Sequence, residues 1–77
     1  MDTSFFTDIS QYDNYLYIFD HLPARMKICV DLAMTGTSVS EIATMLKITE
    51  REVRRKLLDA KKRFMREYIL RERNHHE

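Results

Sequence analysis

Two helix-start signals stand eleven residues apart in the middle of this chain, and they leave little freedom for what lies between them. Ser38 is followed three positions later by Glu41, and Thr49 is followed three positions later by Glu52. In such a capping box the hydroxyl accepts from the amide of the third helical residue while the glutamate reaches back to the cap amide. The spacing admits one short helix, a tight turn and a second helix. Val39, Ile42, Ala43 and Leu46 form the inward stripe expected of the first, and Val53, Leu57, Ala60 and Phe64, with Tyr68, that of the second. Lys47 and Ile48 make the turn, with Ile48 expected to plug the angle between the helices.

The second helix opens on a dense run of cations. Residues 51–66 hold eight Lys and Arg against Glu52 and Asp59, a net +6, although the whole chain is only +1. The difference is made up at the other end: residues 1–23 carry four Asp and no base, a net −4, and residues 24–77 carry 13 bases against 8 acids, a net +5. A cationic element on a near-neutral domain suits a polyanionic partner.

The remaining residues read as helical too. The chain has 77 residues, with one glycine and one proline, and alternating apolar–polar runs are scarce. We expect an all-α, small four-helix domain containing a helix-turn-helix, with a long C-terminal recognition helix. One domain of this size buries only about 60–65% of its unfolded surface. Residues 1–10 read as a flexible N-terminal segment, although Phe5, Phe6 and Ile9 can dock on the body. Residues 11–70 form the domain and 71–77 a polar tail. A first helix is expected over about 11–21, with Tyr12, Tyr15, Leu16, Phe19 and Leu22 on one aromatic-rich face. Tyr17 and Ile18 widen that apolar surface beyond what one neighbour can cover, which suggests a partner or dimer surface. Leu22-Pro23 ends it, since proline disfavours helix in the residue before it. A second helix then runs over about 24–34, with Met26, Cys29, Val30 and Ala33 on its stripe and Gly36 placed for a left-handed cap. The third spans about 39–46, and the fourth runs from Glu50 to about 70.

A B-DNA major groove admits one α-helix, whose first turns reach the base edges. In this chain the outward candidates for base contact are Glu50, Arg51, Glu52, Arg54 and Arg55. Arginine can grip guanine O6 and N7 with two hydrogen bonds, and glutamate can accept from cytosine N4. Glu52 has a competing use as the capping acid, as has Glu41. Ser38, Ser40, Thr49, Lys56, Lys61 and Lys62 are the candidates for phosphate contact, which adds affinity and salt dependence without sequence preference. Ala43 is the small residue that lets the two helix backbones approach.

Leu22-Pro23, the apolar helix after it, the run from Gly36 to Thr49, Val53-Arg-Arg-Lys-Leu and Ala60-Lys-Lys-Arg-Phe together resemble region 4 of the sigma-70 family, over about residues 20–67. The LuxR-type output domain is similar over the same core. The resemblance implies a helix-turn-helix that reads the promoter −35 element, with Glu50, Arg51, Glu52, Arg54 and Arg55 where family members touch bases, and docking on RNA polymerase. The chain departs from the family in having Lys47 where glycine is usual, and in having no counterpart of region 2. It is therefore expected to be a small regulator rather than a complete sigma factor. Candidate partners are double-stranded DNA, RNA polymerase or another transcription factor, and a second copy of the chain through Met65, Tyr68, Ile69 and Leu70.

Other chemistries find little footing. Cys29 is the only cysteine and has apolar neighbours, so a buried thiol in a reducing cytoplasm is expected. His75-His76 lies in a polar stretch without ligand spacing, Gly36 cannot make a phosphate loop alone, and no triad logic is visible. We expect no enzyme activity, no metal or cofactor, and no membrane segment.

Overall fold

The structure, a computed structural model, describes residues 4–9 and 15–75, with side chains described through Arg66. The described residues form five helices and no strand: α1 (Ser4–Thr7), α2 (Tyr15–Asp20), α3 (Ala24–Met34), α4 (Val39–Leu46) and α5 (Glu50–His75). The all-α expectation holds, with one helix more than the four expected. That helix, α1, lies in the segment expected to be loose. Phe6 and Ile9 are both wholly buried, and α1 packs against α3. Burying each of these two large apolar side chains contributes about 1.5–3 kcal/mol, which offsets part of the roughly 1–2 kcal/mol per residue that ordering the segment costs. Phe6 and Ile9 are therefore part of the core, with Phe5 packed against it.

Helix α2 and the turn after it keep most of the expected face inward, with Ile18 in place of Leu16. Ile18 and Leu22 are buried, Tyr15 and Phe19 pack partly against the core, and Leu16 is 61% exposed. The pattern that placed Leu16 inward depended on Tyr12, which lies outside the described residues. In α3 the stripe is as read: Met26, Cys29, Val30 and Ala33 are buried. Pro23 stands at its N-cap, where a missing amide hydrogen costs nothing, and its carbonyl accepts from the Lys27 amide at 2.9 Å.

Helices α3 and α4 end in the same way. After α3, the Gly36 amide donates to the Ala33 carbonyl at 3.0 Å and the Thr37 amide to the Leu32 carbonyl at 3.1 Å. After α4, the Lys47 amide reaches the Thr44 carbonyl at 3.4 Å and the Ile48 amide the Ala43 carbonyl at 3.1 Å. Both pairs have the three-back and five-back spacing of a Schellman cap, which needs a left-handed residue. Gly36 supplies it at φ 87° and Lys47 at φ 58°. The reversal brings α4 onto α5, and α3 packs on α5 as well. Ile42, Val53, Leu57, Ala60 and Phe64 are fully buried at this junction, Ala43 is 6% exposed, and Ile48 packs against the core from the turn. Helix α5 runs to His75, beyond the expected end near 70 and into the stretch read as a polar tail. The side chains of Tyr68, Ile69, Leu70, His75 and His76 lie outside those described.

Candidate nucleic-acid interface

Both caps that frame the α4–α5 pair are made, each by half of its box. The Glu41 amide donates to Ser38 Oγ at 3.2 Å, and the Glu52 amide donates to Thr49 Oγ1 at 3.1 Å. Among the described residues, neither glutamate carboxylate returns to its cap amide, so Glu52 is not consumed as a capping acid and stays exposed. Glu50 and Glu52 in the first turn also complement the positive end of the α5 dipole. A hydroxyl that accepts still has its own hydrogen to give. Ser38 and Thr49, both exposed, therefore keep a donor hydrogen at the start of each helix.

The buried stripe of α5 determines what its opposite face carries. With Val53, Leu57, Ala60 and Phe64 inward, the 100° step per residue turns Arg51, Arg54, Arg55, Leu58 and Lys62 outward. Arg51, Arg54, Arg55, Leu58 and Lys61 line one shallow concavity of about 590 Å³. Arg54 is held across it by Glu50, with Nη2 to Oε1 at 3.1 Å and both side chains about half exposed. An exposed pair at this spacing contributes only about 0.3–0.5 kcal/mol, so Glu50 orients Arg54 without removing it from use. Arg51 and Arg55 make no ion pair among the described residues. Three guanidiniums stand within two turns against two carboxylates, Glu50 paired with Arg54 and Glu52 exposed in the first turn, which leaves a positive surface that is stabilised by an arriving anion.

The other candidates divide. Lys61 joins the arginines at one edge, where its Nζ stands 5.2 Å over the Phe5 ring, so α1 borders this surface. Lys62 and Ser40 are exposed. Lys56 is half buried on the flank toward α3, where its charge and that of Arg25 act on Cys29, and it is not part of the arginine surface. Burial prevails over those two cations and holds the Cys29 thiol above its ordinary value, so the thiol stays protonated near neutral pH. Leu58, 44% exposed in the middle of the cations, is the member that sequence reasoning missed. Its signal was present in the i, i+3, i+4, i+7 spacing of residues 51, 54, 55 and 58.

No group of His, Cys, Asp or Glu suited to a metal ion occurs among the described residues, and no described helix is long and apolar enough to cross a membrane. Comparison of the chain with protein-family models, with curated proteins and with solved structures returned no match.

Proposed function

We propose that the chain is a sequence-specific DNA-binding transcription regulator that lays the first turns of α5 in a major groove. One observation carries this reading: Arg51 and Arg55 are exposed and unpaired among the described residues, beside an Arg54 held ready by Glu50, on a helix that follows a tight capped turn. In this reading Glu50, Arg51, Glu52, Arg54 and Arg55 meet base edges. Ser38, Ser40, Thr49, Lys61 and Lys62 meet phosphates, and Lys56 plays a lesser part. The resemblance to sigma region 4 fits the order α3, α4, α5. It also fits the left-handed Lys47, because glycine, usual there in that family, is the residue such a conformation favours. The cell cytoplasm, with its nucleoid, is where this role belongs.

Fluorescence anisotropy on duplexes selected from a random pool tests the reading. Binding should weaken steeply with salt. Arg51→Ala and Arg55→Ala should each lose about 1–3 kcal/mol of discrimination between selected and scrambled duplex. Lys62→Ala should keep the preference and flatten the slope of log K against log salt by about 0.9. Equal affinity for selected and scrambled duplexes at every salt concentration rejects base readout.

Leu58 favours a second reading, in which the same face binds RNA polymerase, a sigma factor or an anti-sigma factor and DNA contact is secondary. Co-purification with such a partner that survives simultaneous Ala substitution of Arg51, Arg54 and Arg55, and is lost in Leu58→Glu, would establish it. Failure to retain any of these proteins would remove it.

A further inference from the structure

On a different flank, α2, the turn after it and α5 border a half-open cleft of about 160 Å³ lined by Tyr17, Ile18, His21, Leu22 and Arg63. Twelve residues at 100° each put Arg63 about 120° round α5 from Arg51, away from the arginine surface. The cleft is divided chemically. Ile18 and Leu22, 4% and 6% exposed, make an apolar floor. Tyr17 and His21, one turn apart on the chain, bring their rings to 4.4 Å between centroids and form a wall. His21 is fixed there because its Nδ1 lies 2.8 Å from the Tyr17 carbonyl oxygen. A carbonyl only accepts, so Nδ1 carries the hydrogen and Nε2 is left for another partner. Arg63 supplies the one permanent charge among the described lining residues. Among the described residues it makes no ion pair, and no carboxylate lines the cleft.

The volume limits the guest. An enclosed apolar cavity of about 150 Å³ holds one benzene ring, so this half-open, partly polar cleft has room for one ring with a polar group facing out. We propose that the α2–α5 cleft binds a small monocyclic aryl carboxylate, its ring on Ile18 and Leu22 beside the Tyr17–His21 wall and its carboxylate on the Arg63 guanidinium. The ring takes the apolar floor that water solvates poorly, and the carboxylate gives Arg63 the planar acceptor pair that a guanidinium matches. A half-open cleft around so few ligand atoms sets the affinity at roughly millimolar. The proposal is independent of any contact with nucleic acid.

Titration of the ¹⁵N-labelled chain with sodium benzoate, at constant ionic strength, tests it. Saturable shifts should centre on the amides of Ile18, His21, Leu22 and Arg63. Arg63→Gln should weaken binding about fivefold or more, and benzyl alcohol should bind the unaltered chain more weakly by a similar factor. Tyr17→Ala should weaken both ligands. Arg63 and Tyr17 are exposed, so both variants should fold, and a thermal melt checks that they do. The proposal is overturned if no saturable shift occurs, if Arg63→Gln binds as well as the original, if benzyl alcohol matches benzoate, or if the shifts centre on Arg51, Arg54 and Arg55.

Discussion

The two Schellman caps differ in one respect that can be measured. Gly36 and Lys47 hold equivalent positions after α3 and α4, at φ 87° and φ 58°, but only Gly36 lacks the Cβ that makes a left-handed conformation costly. For an L-residue that conformation costs about 1–2 kcal/mol. Glycine escapes this cost but loses about 0.4–1 kcal/mol through the greater freedom of its unfolded chain. Lys47 is exposed and makes no ion pair among the described residues, so its side chain has little to lose. Lys47→Gly should therefore stabilise the fold by about 0.5–1 kcal/mol, raising the melting temperature by roughly 2–8 °C. Gly36→Ala is the mirror experiment. An added Cβ would meet nothing within 4 Å, so the penalty comes from the backbone alone. It should destabilise by a similar amount, about 0.5–1 kcal/mol. Urea unfolding followed by far-ultraviolet circular dichroism reads both, provided that the denaturant slope is unchanged. If Lys47→Gly is neutral or destabilising while Gly36→Ala behaves as stated, the turn between α4 and α5 is not strained in the way the dihedral angle implies.

Ile9→Ala should cost about 2–5 kcal/mol, because Ile9 is wholly buried, whereas Leu16→Ala, at a 61% exposed position, should stay within about 0.5 kcal/mol; equal midpoints in urea for the two variants would remove Ile9, just past α1, from the core. Thr49→Ala deletes the oxygen that accepts the Glu52 amide and should lower stability by about 1 kcal/mol, measured against Thr44→Ala, whose hydroxyl returns to the Ser40 carbonyl inside α4. Buried Cys29 should react with a thiol reagent only as fast as the chain opens, and completely in urea; rapid labelling of the native protein would contradict its burial. Because the folded state holds the thiol proton more tightly than the unfolded chain, the Cys29 contribution is complete below the ordinary thiol value of 9.0 and is lost as pH climbs through the raised folded value. A melting temperature that falls no faster with alkaline pH in the original chain than in Cys29→Ala would contradict that sign.

What was legible in the residues was local. A cap is a contact between positions three apart, a left-handed terminus is a property of one residue, and an amphipathic stripe is a repeat within a single helix. For this reason the bounds of α3 and α4, the start of α5, the Met26–Cys29–Val30–Ala33 stripe and the outward arginines could be read directly. Tertiary packing settled the matters that depend on which neighbour arrives. Phe6 and Ile9 look like members of a loose acidic segment until α3 supplies a surface to cover them. Ile18 and Leu16 compete for the inside of α2, and only the position of that helix against α5 chooses Ile18. Lys61 is one lysine among several until Phe5 comes beneath it, and Lys56 leaves the cationic surface because α3 lies against its side of the helix. Hydrogen-bonding pattern and residue spacing travel along the chain, whereas burial is a relation between segments that the chain brings together only on folding.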